Sequence, residues 1–272
     1  MEKFEKGGLI GRVTGLVRYL ASLKIPVYAS HASFFIVLAV FPTLVLLMSL
    51  LRYTGLGAQY LTELLEGVLP GALLPGAKRL ILSTYRSTTG TVVSVSAVTA
   101  LWSAGRGVHG LTTGLNSIYE VEEDRGYLST RLMSMLYTFL FLLVLLLTLV
   151  MHVFGGAILG LFPVADWLTE VVDLRFFLLL LIQTVLFTAM FMALPNQKNR
   201  LLDSLPGALL ASSGWLVFSD LYSIYVENFA NLAVVYGSVY AVALSMLWLY
   251  CCVSILFYGG ALNHYLAKNR KS

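Results

Sequence analysis

The chain has 272 residues, of which 58% are hydrophobic and 12% are charged, about half the charged share of a typical soluble domain. This composition excludes an ordinary soluble protein. The net charge of +4 comes from dispersed Lys and Arg residues rather than from a basic run of the kind that binds nucleic acid. The two cysteines, Cys251 and Cys252, are adjacent in an apolar run, so neither a disulfide framework nor a zinc site is expected.

Six long apolar stretches predict an all-α, polytopic membrane protein with six transmembrane helices. The clearest stretch, Ala32–Leu51, has 20 residues without a charge. A helix of that length spans about 30 Å, the thickness of the hydrocarbon core of a bilayer. The predicted spans are residues 30–52, 88–105, 132–158, 176–195, 205–226 and 235–262. Since no linker or repeat interrupts them, we interpret residues 1–272 as a single integral membrane domain.

The distribution of Lys and Arg predicts the orientation. Six crossings place both termini on one side, and with that side inside, 13 of the 18 basic residues lie there and 5 lie outside. This asymmetry predicts cytoplasmic N- and C-termini. Apolar stripes at helical spacing in residues 9–20, 61–69 and 108–118 predict amphipathic helices at the membrane interfaces.

Asp220 is the unusual residue of the fifth span. A carboxylate near the centre of a span costs about 2.5–3.5 kcal/mol on insertion scales, so it is expected to face protein or water rather than lipid. Ser213, Asp220 and Glu227 are spaced by seven, and Ser223 lies one turn beyond Asp220, which makes a polar stripe. The stripe could line a hydrated cavity or substrate route. Alternatively, Asp220 could be a buried carboxylate held by a basic partner such as Arg52.

Small residues and prolines indicate packing and helix shape. In the last span, small residues recur at every seventh position and favour close approach of helix backbones: Ser238, Ser245, Cys252 and Gly259. Gly110 and Gly114, four residues apart, indicate a similar contact. Pro42, in the middle of the first span, removes a backbone hydrogen bond and predicts a kink.

No constellation in the sequence indicates catalysis. The four histidines lie in different segments, without HxH or HExxH spacing, and neither a GxSxG nor a Walker motif is present. The acidic run at 120–124 lacks the spacing of an EF-hand and is interpreted as a solvated loop. We therefore expect no metal, no cofactor and no enzyme activity.

Ordered motifs along residues 10–266 resemble those of the YihY/BrkB family of bacterial inner-membrane proteins, once labelled ribonuclease BN. The stretches that carry the resemblance are Ala32–Phe35 with Phe41–Pro42, Leu101–Val108 with Leu115–Tyr119, Leu194–Asn196 with Leu205–Ala208, and then Tyr222, Asn228–Ala230, Tyr236–Ser238 and Trp248–Tyr250. The resemblance implies a six-span helical fold with cytoplasmic termini in the inner membrane. It further implies a link to export of lipid or envelope components. Ribonuclease activity is not expected, since the chain lacks the HxHxDH motif of the metal-dependent ribonuclease of that name.

The polar stripe and the family motifs together define candidate residues. Candidates for a cavity or substrate path are Asp220, Ser213, Ser223, Glu227, Arg106, Asn116, Tyr222, Asn228 and Tyr236. Candidates for a kink or for packing are Pro42, Pro195, Gly237, Ser245 and Gly259. Asp220 is not part of the family pattern. Arg106 could bind an anionic headgroup or could reach to the interface as a snorkelling side chain.

These features lead to a functional hypothesis. We expect a transporter or exporter of a lipid or an envelope-related solute, with membrane lipids as partners and a cavity between spans 1, 5 and 6 and the inner loop that carries Arg106. The alternative is a non-transporting scaffold that binds an envelope-assembly partner, and an enzyme acting on RNA or lipid ranks third. No nucleic-acid partner is expected, and the sequence predicts no oligomeric state.

Overall fold

The structure is a computed structural model that describes residues 19–53, 82, 90–123, 174–228 and 231–271. Within the helices, side chains are not described at residues 40, 41, 44, 46–53, 174, 175, 227, 228, 231–238, 241, 269 and 271. The five long helices are α1 (Ile25–Tyr53), α2 (Gly90–Ile118), α3 (Leu174–Ala193), α4 (Leu201–Asn228) and α5 (Asn231–Lys271). The all-α prediction is confirmed.

Among the described residues, three helices are long and apolar enough to cross a membrane. Their apolar stretches are Phe176–Ala193 in α3, Leu201–Val226 in α4 and Val242–Lys268 in α5, close to the predicted fourth, fifth and sixth spans. The predicted first span lies within α1, where the described apolar stretch is the shorter Ile25–Ala39, and residues 90–105 of the predicted second span lie within α2. The predicted third span, 132–158, lies outside the described residues, as do residues 61–69 and most of 9–20. Six crossings therefore stay a prediction.

The chain divides into two compact units. The larger unit contains Met1–Phe34 and Gly107–Ser272, and the smaller one contains Phe35–Arg106. Helices α1 and α2 each contribute a segment to both. In the smaller unit, the ring of Phe35 packs edge-on against Trp102, with centroids 5.9 Å apart.

An aromatic cluster ties α3, α4 and α5 together in the larger unit. The rings of Phe187 and Trp215 lie 5.5 Å apart, and Trp215 meets Trp248 edge-on at 5.7 Å. The indole N–H of Trp248 also donates to the hydroxyl of Ser219 at 3.2 Å. Offset and edge-on aromatic pairs add to the stability that buried area provides. This cluster fixes the rotation of the three helices about their axes.

Glycines allow backbones to touch at two places. A Cβ on Gly207 of α4 or on Gly259 of α5 would overlap the carbonyl oxygen of the other residue, so these helices are in backbone contact. In α2, a Cβ on Gly110 would meet His31 at 2.7 Å and one on Gly114 would overlap the ring of Phe257. Gly110, Gly114 and Gly259 thus lie in close helix contacts.

Part of the small-residue repeat in α5 is exposed. Cys252 and Gly259 are buried, whereas Ser245 is exposed.

Helix α1 continues through Pro42, and α4 continues through Pro206. The apolar stripe of residues 108–118 is almost fully buried and forms the second half of α2. It packs against protein rather than lying as a separate helix at the interface.

Local sequence signals end and begin the helices at one place. Helix α3 stops at Ala193 before buried Pro195, as expected because the residue preceding a proline avoids the helical conformation. The amide of Asn199 donates to the carbonyl oxygen of Phe191 at 2.7 Å, which satisfies a free carbonyl at the end of α3. The chain then enters α4, with Asp203 in its first turn, where a negative charge complements the helix dipole.

Candidate functional site

A polar cavity lies where helix ends of the larger unit converge. Its volume is about 510 Å³, within the 300–1,000 Å³ typical of ligand sites. The end of α2, the turn between α3 and α4, the start of α4 and the last part of α5 surround it. The lining residues are Tyr119, Glu120, Gln197, Lys198, Asn199, Arg200, Asp203, Ser204, Asn263, His264, Ala267 and Lys268.

Asn263 fixes the base of the cavity. This α5 residue is buried, and its side-chain oxygen accepts a hydrogen bond from the backbone N–H of Gly207 at 2.7 Å. Its amide donates to the carbonyl oxygen of Ser204 at 2.9 Å. The bonded groups flank Pro206, which has no N–H to donate. One side chain of α5 therefore supports the first turns of α4 at a point where a proline weakens their internal hydrogen bonding.

Ser204 lines the cavity and has a buried hydroxyl. Its side chain is 1% exposed, and its oxygen has no hydrogen-bond partner among the described residues. A buried polar group without a partner is uncommon because it loses its hydration without compensation. A residue of the lining therefore carries a hydroxyl whose hydrogen bond is unmet among the described residues.

Glu120 stands at the rim with a strained backbone. Its φ is 56°, in the left-handed region, at the position after the end of α2 where glycine is usual. The N–H of Val121 donates to the carbonyl oxygen of Asn116 at 2.9 Å, which closes the turn. Left-handed backbone costs a non-glycine residue about 1–2 kcal/mol. A carboxylate therefore occupies a position where the backbone favours glycine.

The carboxylate of Glu120 faces α5. Its Oε2 lies 3.1 Å from the ammonium of Lys268 and 3.9 Å from Nε2 of His264. The ring of His264 meets Tyr119 edge-on at 5.8 Å. Burial raises the pKa of the Tyr119 hydroxyl above its usual value, so this group stays neutral at the cavity wall. Burial and the charge of Glu120 likewise raise the pKa of Tyr19 to about 12.

Two asparagines join the turns that form the wall. The side-chain oxygen of Asn116 accepts from the backbone N–H of Asn196 at 2.8 Å, and its amide donates to Glu123 at 2.8 Å. The amide of Asn196 donates to the carbonyl oxygen of Glu122 at 2.9 Å. These bonds hold the turn after α2 against the turn after α3. Asn116 thus shapes the cavity without lining it.

The charges of the cavity are unevenly paired. Lys268 pairs with Glu120, and Arg270, just outside the lining, pairs with Asp203 at 2.9 Å. Lys198 and Arg200 are exposed, and neither forms an ion pair with an acidic side chain in the described parts of the chain. The cavity therefore has two cations available for an anionic ligand.

The predicted polar stripe of α4 lies away from this cavity. Asp220 and Ser223 are exposed, and the hydroxyl of Ser213 donates to backbone carbonyls of its own helix. The hydroxyl of Tyr222 donates to the carbonyl oxygen of Leu244 at 2.8 Å, linking α4 to α5. At 100° per residue, Asp220 lies on a different face from buried Trp215. The expected shelter of Asp220 within the bundle is therefore not seen among the described residues.

Of the remaining candidates for a substrate path, Arg106 is the one whose side-chain contacts the structure describes. The side chains of Glu227, Asn228 and Tyr236 lie outside the described set, and the packing around Gly237 is not described either. Arg106 belongs to the smaller unit, where its guanidinium lies 5.8 Å from the ring centroid of Phe35 and 5.5 Å from that of Trp102. This stacking holds Arg106 in a cation–π contact. A substrate-path role for these residues stays a prediction.

Sequence reasoning missed the residues that line the cavity. Lys198 and Arg200 were counted as markers of orientation, and Asn263 and His264 follow an apolar run without a recognisable motif. A signal was present, since a buried asparagine needs partners and the basic pair lies directly before a helix start. In the described segments, no group of three His, Cys, Asp or Glu residues could hold a metal ion.

Comparison with known proteins places the chain in a family. Residues 16–272 match the family described as Virulence factor BrkB. The chain is 29% identical over 248 residues to the ribonuclease-like protein YfkH of Bacillus subtilis (strain 168), covering 89% of this chain and 90% of that protein. It is 21% identical over 259 residues to the UPF0761 membrane protein VV0203 of Vibrio vulnificus (strain YJ016), covering 89% and 79%. No solved structure matches. With its apolar helices and this match, the chain is a membrane protein of the BrkB family.

Proposed function

We propose that this protein moves a lipid or an envelope-related solute across the bacterial inner membrane, and that the cavity is where that molecule first binds. The observation that carries the proposal is the position of a polar opening of about 510 Å³ at the ends of the candidate spanning helices α3, α4 and α5. A molecule bound there would lie directly beside the segments that cross the membrane.

The lining supports binding rather than simple closure of a bundle. A helix bundle could close its end with paired charges and packed side chains. Here a hydroxyl is buried without a partner, two cations lack described acidic partners, and a glutamate keeps a strained backbone at the rim. Strained residues that persist are commonly found at functional sites.

The test is lipid movement in proteoliposomes. Purified protein is reconstituted into vesicles that carry a fluorescent lipid, and a membrane-impermeant quencher reports how fast the label reaches the outer leaflet. Separate arms use a zwitterionic lipid, an anionic lipid and a trapped water-soluble solute. We expect faster movement than in protein-free vesicles for at least one of these molecules.

A matched pair of variants links movement to the cavity. Ala267→Trp places a large ring in the lining, whereas Leu266→Trp makes the same change at the neighbouring position of α5, which is exposed and outside the lining. We expect Ala267→Trp to lose most of the movement and Leu266→Trp to keep it. Equal movement in both variants would refute the assignment of the cavity. No movement of any molecule by the wild-type protein would leave a scaffold as the better function.

A further inference from the structure

We infer that the cavity binds a phosphate group through Lys198, Arg200 and the hydroxyl of Ser204, at the N-terminus of α4. This inference deepens the proposed function, and it rests on that function only for what happens to the ligand after it binds. The three groups come from one short segment, on either side of the residue where α4 begins.

The charge balance points to an anion. The two carboxylates in the lining are already matched, because Glu120 lies 3.1 Å from Lys268 and Asp203 lies 2.9 Å from Arg270. Lys198 and Arg200 also line the cavity and have no ion-pair partner among the acidic side chains of the described residues. An anionic ligand would supply the missing countercharge.

The start of α4 adds a second contribution. Helix α4 has 28 residues, and the N–H groups of a first helical turn point outward with the positive end of the helix dipole behind them. Asp203 in that turn would offset part of this field, but Arg270 neutralises it. Helix N-termini flanked by basic residues are a recurring arrangement for binding phosphate.

Ser204 supplies an observation independent of charge. Its side chain is 1% exposed, it lines the cavity, and its hydroxyl has no described partner. A phosphate oxygen is a strong acceptor that would satisfy this hydroxyl while the two cations bind the other oxygens. A phosphate monoester has three terminal oxygens for these three side chains, whereas a carboxylate has two. Arg also binds two phosphate oxygens at once by its planar geometry.

The phosphate could belong to a lipid headgroup or to a water-soluble compound, and both present the same chemistry. Binding is therefore measured for the full-length protein with two probes. One is phosphatidic acid in nanodiscs that otherwise contain phosphatidylcholine, and the other is inorganic phosphate added to nanodiscs of phosphatidylcholine alone. Binding of either probe supports the inference, and the stronger probe identifies the source. If neither binds, the inference is wrong.

Variants test the residues. The double change Lys198→Gln with Arg200→Gln should weaken binding of the favoured probe about a hundredfold, and Ser204→Ala about tenfold, as expected for hydrogen bonds to a charged group. Lys24→Gln is the matched control, since Lys24 is an exposed cation of the same unit outside the lining and should bind like the wild type. Equal weakening by Lys24→Gln would show general charge attraction and overturn the site.

The two proposals can fail separately. Should the binding pattern hold while vesicles show no movement of any molecule, the phosphate site stands and transport is rejected. If movement depends on Ala267 but neither phosphate probe binds, the cavity is a transport site for a molecule without phosphate. Size-exclusion profiles identify variants that do not fold, and the lysine–arginine double change, at exposed positions, keeps the test valid if Ser204→Ala is unstable.

Discussion

Replacing Gly207 by alanine should force α4 and α5 apart. A Cβ at this position would overlap the carbonyl oxygen of Gly259 and would lie 2.6 Å from the side-chain amide of Asn263, closer than real Cβ atoms come. Backbone cannot rotate away as a flexible side chain can, so the helices must separate. Separation would also stretch the 2.7 Å hydrogen bond between the Gly207 N–H and Asn263.

The expected magnitude follows from these contacts. Overpacking a tight contact costs about 1–3 kcal/mol, and a weakened hydrogen bond adds about 0.5–1.5 kcal/mol. Alanine regains about 1 kcal/mol through its higher helix propensity. We therefore expect Gly207→Ala to lower the free energy of unfolding by about 0.5–3.5 kcal/mol.

Gly214→Ala is the matched control on the same helix. Among the described residues, its Cβ would meet a methyl group of Ile255, at 3.1 Å, and a small shift accommodates that contact. Reversible unfolding in mixed detergent micelles, followed by tryptophan fluorescence, measures both variants, since Trp215 of α4 and Trp248 of α5 pack against each other. We expect Gly214→Ala to be as stable as the wild type or slightly more stable. If Gly207→Ala were as stable as Gly214→Ala, the helices could not be in backbone contact at Gly207.

Three further predictions use the same unfolding measurement. Asn263→Ala should destabilise by about 2–4 kcal/mol because it removes both buried hydrogen bonds to α4, and Asn263→Asp should also destabilise, because it keeps the acceptor for Gly207 but sets a buried carboxylate against the carbonyl oxygen of Ser204. Glu120→Gly should be about 1 kcal/mol more stable than Glu120→Ala, since only glycine relieves the left-handed backbone and both variants lose the exposed ion pair to Lys268; equal stability would contradict the strain. Asn116→Asp should destabilise by placing a carboxylate 2.8 Å from Glu123, and adding Glu123→Gln should restore most of the loss. An unrestored double variant would show that the damage arises elsewhere.

The helical architecture could be predicted from the sequence because the hydrocarbon core of a membrane restricts which backbone structures can cross it. Long uncharged runs predict spanning helices, since backbone groups in hydrocarbon must be satisfied within the segment. Gly110, Gly114 and Gly259 were also predicted from spacing alone, and each lies in a close helix contact. Spacing reports which residues share a helix face, which is the information such contacts need.

The cavity could not be predicted from the sequence in the same way. Its walls come from residues 119–120, 197–204 and 263–268, which are far apart in the chain and meet only when the helix ends converge. Asp220 drew attention because intramembrane carboxylates are rare, yet its exposure depends on the rotation of α4, which the cluster of Phe187, Trp215 and Trp248 sets. Tertiary packing, rather than local pattern, decided which polar residues meet.

The most direct test of the cavity is an experimental structure of the protein in nanodiscs that contain phosphatidic acid. We predict an open cavity of about the size described, with the Asn263–Gly207 and Glu120–Lys268 contacts intact and ligand density against Arg200 and Ser204. A cavity filled by side chains of the protein itself, with no ligand density and with Ser204 bonded to a neighbouring residue, would contradict both the binding site and the transport function built on it.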